Sequence, residues 1–217
     1  MLIMSKSSSK KIIYVNPDLH LHGSVAIVGS SANLLQAKHG TFIDTCDNVI
    51  RFNRAEVSKE YNEQVGSKTT LRVVNNHVFD NIDISKQGYT NQPKKFVKKL
   101  RNTNILFVGP DEGPWSRRKK NTHKSNNLFK FDYSNIDKLK KNIGIESERN
   151  LQVGTILVAL CVLSKVTPYL FGFDLEKVER THYFEQRPPE ENYINHSPDE
   201  EKIALRKLAK NKVIKIY

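Results

Sequence analysis

A short apolar run that stops abruptly at small polar residues most constrains the fold of this chain. Val25–Val28 is followed by GSSAN at residues 29–33 and then by a segment of helical character. A buried strand that ends in small residues ahead of a helix is typical of the first unit of a nucleotide-binding α/β domain. Small residues let backbone N–H groups approach an anionic ligand closely. The spacing differs from G-x-G-x-x-G, so the run alone does not identify a dinucleotide site.

Further apolar runs alternate with polar segments along the chain and predict a mainly parallel sheet. We expect strands at 12–15, 47–53, 71–74, 105–108, 169–173 (a central strand) and 213–217, surface helices at 94–101 and 133–142, and a buried helix at 154–163. Alternating strands and helices are typical of a three-layer, Rossmann-like α/β sandwich. We therefore predict a single domain over residues 11–217, after a disordered N-terminus at residues 1–10.

Composition narrows the class of protein. The chain has 217 residues, 38% of them hydrophobic and 27% charged, which suits a soluble domain with one core. Only Cys46 and Cys161 are present, so we expect no disulfide framework and a reducing compartment. The apolar start of the N-terminus is too short for a signal peptide or a membrane span, which favours a cytoplasmic location.

The formal net charge of +12 favours an anionic partner. Phosphorylated substrates, an anionic membrane surface that the protein binds peripherally, and nucleic acid all fit this charge. The sequence lacks zinc-finger spacing and RNA-recognition aromatics, so nucleic acid is the least favoured of the three. A basic cluster lies in a long loop: Arg117, Arg118, Lys119, Lys120 and Lys124. This loop, 117–124, would suit an anionic acceptor or a membrane, and plain solvation explains it equally well.

Three polar segments in the first third of the chain resemble a known family. They are VGSSANL at 28–34, HGTFIDTCDNVIRFNRA at 39–55 and VGSKTT at 65–70. Together they resemble the large sialylmotif of glycosyltransferase family 29, the sialyltransferases. The resemblance implies the GT-A-like variant of the Rossmann-like fold and a donor nucleotide held by Ser31, Asn33 and Asn53. An ordinary first βαβ unit with polar turns is the alternative interpretation.

The buried helix and the strand after it resemble a second motif of the family. The segment QVGT at 152–155 stands before the helix, and LFGF at 170–173 follows it, as in the small sialylmotif. The family has Ser-Thr where this chain has Gln152 and Val153. The resemblance implies that Gly154 and Thr155 contact the donor, through the N–H groups and positive dipole of the helix N-terminus. A plain core helix is the alternative.

The family's secreted and Golgi members join the large and small motifs by a disulfide. The corresponding positions of this chain are Ser24 and Lys165, so that bridge is absent. We expect Cys46 and Cys161 to be small buried hydrophobic residues.

Two histidine motifs complete the family order. THYFE at 181–185 resembles the third motif, and His196 with Glu201 resembles the final His-x4-Glu motif. Ser197, Pro198 and Glu200 have the spacing of a capping box with proline at the first helical position. His196 would then directly precede a helix N-terminus, which suits both a phosphate and a neutral imidazole. Glu201 is assigned a supporting role, although a generic acid of the first turn would explain it equally well.

The resemblance implies an inverting glycosyltransferase. It would transfer an acidic sugar, with sialic acid favoured, from a CMP-sugar to a hydroxyl of a glycan or glycolipid acceptor. His196 would act as the general base and His182 would stabilise the departing phosphate, with neither a metal nor any other cofactor. Two alternatives remain open. One is a transferase of the same family that uses CMP-Kdo, and the other is a non-catalytic protein of the same fold that binds anionic glycan or nucleic acid.

Overall fold

The computed structural model shows an α/β architecture. It describes residues 12–15 (backbone only), 21–53, 55, 57–75, 103–109, 128–175, 183 and 198–217. The strands are β1 (Ile12–Val15), β2 (Val25–Val28), β3 (Asn48–Phe52), β4 (Leu71–Asn75), β5 (Asn104–Val108), β6 (Leu128–Phe131), β7 (Tyr169–Phe171) and β8 (Lys215–Ile216). The α-helices of these ranges are α1 (Gly40–Thr45), α2 (Asn62–Val65), α3 (Ile136–Ile143), α4 (Val153–Leu163) and α5 (Pro198–Lys210). Short 3₁₀ helices lie at Ala32–Gln36, Lys59–Tyr61 and Tyr133–Asn135.

The eight described strands form one parallel sheet in the order β1-β6-β5-β4-β3-β2-β7-β8. The predicted Rossmann-like α/β class with a parallel sheet is therefore confirmed. The order reverses at β2, because β3 to β6 follow on one side of it and β7 and β8 on the other. In open parallel sheets, ligands bind beyond the carboxyl ends of the strands at such a reversal.

Alternate side chains of β2 belong to the two separate halves of the core. Val25 and Ile27 pack in the cluster that includes α3, α4 and α5, whereas Ala26 and Val28 pack in the cluster on the side of α1 and α2. All four side chains are fully buried. This division follows from the two-residue period of a strand and produces the continuous apolar run of a strand covered on both faces.

The predicted buried helix is α4. It begins at Val153, and its side chains from Thr155 to Cys161 are all buried. An apolar surface on all sides is required here because α4 packs both on the sheet and on its helical neighbours. Cys46 and Cys161 are free and buried, as expected, and burial raises the pKa of the Cys161 thiol to about 12. Within the described ranges, no helix combines the length and apolar character needed to cross a membrane.

Three local expectations differ from the structure. Strand β6 was not predicted, because it has only four residues and follows a long polar passage. Strand β7 is not central but second from the edge of the sheet, between β2 and β8. It is still largely buried, because α4 packs against it. The surface helix expected at 133–142 is a 3₁₀ helix followed by α3, whose Leu139 and Ile143 face the core. The expectations for residues 1–10, the helix at 94–101 and loop 117–124 fall outside the described residues.

Candidate functional site

The loops after β2 and β7 are in direct backbone contact at the point where the strand order reverses. The N–H of Gly29 donates to the carbonyl of Phe171 at 2.7 Å, and a Cβ atom on Gly29 would collide with the carbonyl of Gly172. Gly172 itself has a φ of 66°, a conformation that side chains rarely adopt. Glycine is therefore required at both positions for two chain segments to meet at the carboxyl edge of the sheet.

Two of the predicted donor-binding residues lie in the loop after β2. Ser31 donates its N–H to the carbonyl of Gly172 at 3.3 Å, and its hydroxyl oxygen accepts from the N–H of Asn33 at 3.4 Å. Ser31 thereby caps the 3₁₀ helix Ala32–Gln36, a common role of serine at helix starts. Asn33 is exposed and Ser31 is half-buried, so both can be reached from the carboxyl edge of the sheet.

Asn53, the third predicted donor-binding residue, lies where β3 ends. Its φ of 41° falls in the left-handed region, which asparagine tolerates better than most residues. Its side-chain oxygen accepts from the N–H of Asn75 at 3.1 Å, and its N–H donates to the carbonyl of Val73 at 2.7 Å. An amide side chain therefore follows the strand, as predicted. This amide of Asn53 is bound to Asn75, the last residue of the neighbouring β4.

The N-terminus of α4 reaches the same edge of the sheet. A Cβ atom on Gly154 would lie 3.1 Å from Cε1 of Phe173, a residue of the loop after β7. The absence of a side chain at Gly154 therefore lets the helix pack against an aromatic ring, a reason for glycine that the sequence analysis did not foresee. The N–H groups of Val153, Gly154 and Thr155 belong to the first turn, where a helix provides no acceptor of its own.

Glu201 joins the small motif to the final motif. Its carboxylate is 2% exposed and accepts from the N–H of Gln152 at 3.0 Å (Oε1) and 3.1 Å (Oε2). The hydroxyl of Thr155, also buried, donates to Oε2 of the same carboxylate. The side chain of Thr155 is therefore bound within the protein, and the predicted contact of Thr155 with the donor would be made by its N–H. Glu201 is more than a generic first-turn acid, because it caps the N-terminus of another helix.

The neighbouring Glu200 forms contacts that the sequence did not predict, and its predicted capping partner Ser197 lies outside the described residues. Helix α5 begins at Pro198, as expected. However, Oε1 of Glu200 accepts from the N–H groups of Glu146 and Ser147 at 2.9 and 3.0 Å. Both of these N–H groups belong to the segment between α3 and α4. The first turn of α5 is thereby fastened to the segment that leads into the small motif.

Tyr183 connects the third motif to the large motif. Its N–H donates to the carbonyl of Ser30 at 2.9 Å. Its ring is 6% exposed and meets the ring of Tyr61 edge to face, with centroids 5.3 Å apart. His182 and His196, the two predicted catalytic residues, lie outside the described residues, so their placement stays a prediction.

The second half of the large motif folds around a carboxylate. Asp44, on α1, accepts from the N–H and hydroxyl of Ser67 and from the N–H of Lys68, all at 2.9 Å. Burial alone would raise the pKa of Asp44, but these donors and the charge of Arg51 outweigh it and hold the pKa below the usual value. Asp44 thus fixes the turn VGSK that precedes β4.

Replacing Asp44 by asparagine should therefore lower stability at pH 7 by about 1–2 kcal/mol, because charge-assisted hydrogen bonds are lost. A carboxyl group with a lowered folded-state pKa stabilises the fold above its unfolded pKa of about 3.9 and loses this contribution as the pH falls through the folded value. Urea unfolding at pH 7 and pH 3 should show a gap between wild type and variant that narrows in acid. A gap of equal size at both pH values would contradict this role. Asp137→Asn, on the exposed face of α3, is the control.

Sequence reasoning missed the contacts that assemble the site. The contacts of Glu201 with Gln152 and Thr155 join residues 49 and 46 positions apart. The only sequence signal for them was the His-x4-Glu spacing together with the position of QVGT before an apolar helix. The structure brings together Ser31, Asn33, Asn53, Gly154, Thr155 and Glu201 along the carboxyl edges of β2, β3 and β7.

Comparison with known proteins tests the resemblance of the first of these motifs. Residues 11–107 match the model of Glycosyltransferase family 29 (sialyltransferase). The resemblance to family 29 is confirmed. The family-29 match covers the large sialylmotif, the strands β1 to β4 and all but the last residue of β5, and so includes Ser31, Asn33 and Asn53.

Two sialyltransferases illustrate the extent of the sequence similarity. Beta-galactoside alpha-2,6-sialyltransferase 2 of Gallus gallus is 33% identical over 97 residues, which cover 45% of this chain and 16% of that protein. Alpha-N-acetylneuraminide alpha-2,8-sialyltransferase of Xenopus laevis is 26% identical over 227 residues, which cover 88% of this chain and 57% of that protein. The chain therefore spans well under two thirds of the length of either relative.

Solved sialyltransferase structures share the fold. A mammalian sialyltransferase superposes with a TM-score of 0.63 at 18% identity, over 90% of this chain and 68% of the other. The sialyltransferase CstII from Campylobacter jejuni, in complex with the substrate analogue cytidine-5'-monophosphate, superposes with a TM-score of 0.51 at 17% identity, over 90% and 79%. At these identities the likeness is one of fold.

Proposed function

We propose that this protein is a family-29 glycosyltransferase that transfers an acidic sugar from a CMP-sugar to a hydroxyl of a glycan or glycolipid. One observation carries the proposal: parts of the four segments that resemble the sialylmotifs are bound to one another at the carboxyl edge of the sheet. Tyr183 binds the loop after β2, and Glu201 binds the start of α4. The complex of CstII with cytidine-5'-monophosphate supports CMP as the nucleotide. Sialic acid is the favoured sugar, and the similar acid Kdo is the alternative.

The proposed mechanism is an inverting displacement at the anomeric carbon. His196 takes the proton of the acceptor hydroxyl as the new glycosidic bond forms, and the bond from the anomeric carbon to the CMP phosphate breaks. His182 stabilises the phosphate that departs. Ser31, Asn33 and Asn53 hold the nucleotide, and the N–H groups of the first turn of α4 contribute a positive dipole at the small motif.

Ligand-dependent thermal stability tests the assignment of the nucleotide. CMP, CDP, UDP, GDP and NAD are compared on the wild-type chain, and CMP at 100 times its dissociation constant should add about 2.7 kcal/mol. Asn53→Ala should weaken this effect. Asn211→Ala, on the exposed surface after α5, is the matched control and should retain it. A large shift with UDP or NAD but none with CMP would show that the donor is not a CMP-sugar.

Release of CMP from the CMP-sugar separates the enzyme from the alternative of a non-catalytic protein. Such a protein would bind anionic glycan or nucleic acid through its basic surface, with loop 117–124 foremost, and its affinity would fall steeply with salt. Binding without CMP release would favour this second candidate. Peripheral association with an anionic membrane and a cytoplasmic location remain predictions of the sequence.

Transfer is expected to proceed without a divalent metal. CMP carries one phosphate, and a histidine together with helix N-termini can balance its charge. Turnover should therefore be unchanged by EDTA and by subsequent addition of Mg²⁺ or Mn²⁺. Activity that disappears in EDTA and returns with either ion would contradict this proposal.

A further inference from the structure

Arg51 is a fully buried cation that the mechanism above does not use. It lies on β3, between β2 and β4, and its side chain is 0% exposed. Burial lowers its pKa to about 10, whereas Tyr183 and Asp44 act in the opposite direction, so the guanidinium is charged at neutral pH. A buried charge is costly unless its donors are satisfied, and its presence in the core calls for a physical reason.

The guanidinium binds the turn that follows α2. Nη2 donates to the carbonyl of Val65 at 2.6 Å, and Nε donates to the carbonyl of Lys68 at 3.0 Å. Nη1 is buried and has no hydrogen-bond partner among the described residues. Arg51 therefore binds the turn VGSK from strand β3, while Asp44 binds the same turn from α1.

The same turn and helix support Tyr183. Val65 and Tyr183 belong to one apolar cluster, and Tyr61, directly before α2, meets the ring of Tyr183. The main chain of Tyr183 is bound in turn to Ser30 of the loop after β2. A continuous series of contacts thus leads from Arg51 through α2 to the residue that follows His182 in the chain.

We propose that Arg51 is a positioning residue for sugar transfer, which acts with Tyr183 as one unit and keeps Tyr183, the residue after His182 in the chain, bound to the loop after β2. This inference rests on the proposed function. Arg51 touches no substrate in this role. The guanidinium acts on Tyr183 through the carbonyl of Val65 and the packing of Val65 and Tyr61 around the Tyr183 ring. A purely structural arginine would affect stability and leave the turnover of the folded enzyme unchanged.

A double-mutant cycle of Arg51→Met and Tyr183→Phe tests this inference. Each single variant should lower kcat by about tenfold with donor and acceptor saturating. The double variant should be no slower than the worse single variant, because the two residues act as a unit. Arg51→Lys keeps the positive charge and the approximate length and should recover part of the loss. It also replaces Arg51→Met in the cycle if the methionine variant does not fold.

Arg72 provides the matched control. It is a second buried arginine, on β4, and donates to the carbonyls of Asn53 and Ala55 at 3.3 and 2.9 Å. The effects of Arg72→Met and Tyr183→Phe should multiply. If the Arg51 and Tyr183 effects also multiply, or if the folded Arg51 variants turn over normally, the inference is wrong while the proposed function stands. Absence of CMP-sugar turnover in the wild type would overturn both.

Discussion

Replacing His196 by alanine should lower kcat by about 10²–10⁴, the usual contribution of a general base. An acceptor hydroxyl is a weak nucleophile near neutral pH and loses its proton as the glycosidic bond forms. Histidine suits this task because its ordinary pKa lies close to neutrality. Helix α5 begins at Pro198, shortly after His196, and the positive end of a helix favours a neutral imidazole. The loss corresponds to about 3–5 kcal/mol of transition-state stabilisation.

The pH dependence of kcat distinguishes a base from a binding residue. The acidic limb of the wild-type profile should disappear in His196→Ala, while the affinity for the donor changes little, because the base acts on the acceptor. His182→Ala is the comparison. It should also lower turnover, through the departing phosphate, yet retain the acidic limb. Near-normal turnover of His196→Ala with both substrates saturating would assign the base to another residue.

Replacing Glu201 by alanine should lower the free energy of unfolding by about 3–5 kcal/mol. The N–H of Gln152 and the hydroxyl of Thr155 would lose their acceptor in the interior of the protein. The positive end of the α4 dipole would also lose the carboxylate that balances it. Turnover should fall as well, because α5 would no longer be joined to the start of the small motif.

Glu200→Ala is the matched control for Glu201. Its carboxylate, on the same turn of α5, is half-buried and accepts from the N–H groups of Glu146 and Ser147. Its removal should cost about 1–2 kcal/mol, and Glu201→Gln should fall between the two alanine variants. Urea unfolding at constant pH measures all three. Equal, small losses for both alanine variants would show that Glu201 acts only as a first-turn acid.

The sequence was most informative where one local pattern determines the structure. Strands β2, β4 and β5 are covered on both faces. β2 and β5 are apolar runs bounded by polar residues, and β4 is such a run interrupted by Arg72. All three were predicted within a residue or two. Helix α4 was recognisable for the same reason. Burial on both faces removes the periodic signal, so the length of the run separates strand from helix: four or five residues in these strands against eleven in α4.

The contacts that complete the site could not be read from the sequence. The partners of Glu201 are set by how α5 packs beside α4, and nothing local to residue 201 specifies this arrangement. Gly154 was predicted to let a nucleotide approach the backbone, and its packing against the ring of Phe173 could not be foreseen. Strand β6 has too few residues for its alternation of Phe129, Lys130 and Phe131 to stand out from a polar background.

The first and last described strands, β1 and β8, form the two opposite edges of the sheet. Strand β1 covers β6, and β8 covers β7. Deleting residues 1–16 would leave β6 as an outer strand, with a row of unpaired N–H and C=O groups beside two phenylalanines. Such an edge is a template for pairing with other chains and for aggregation. Shortened versions of this protein made for crystallisation should therefore keep β1, although it lies farther along the sheet from the candidate site than any other strand on its side.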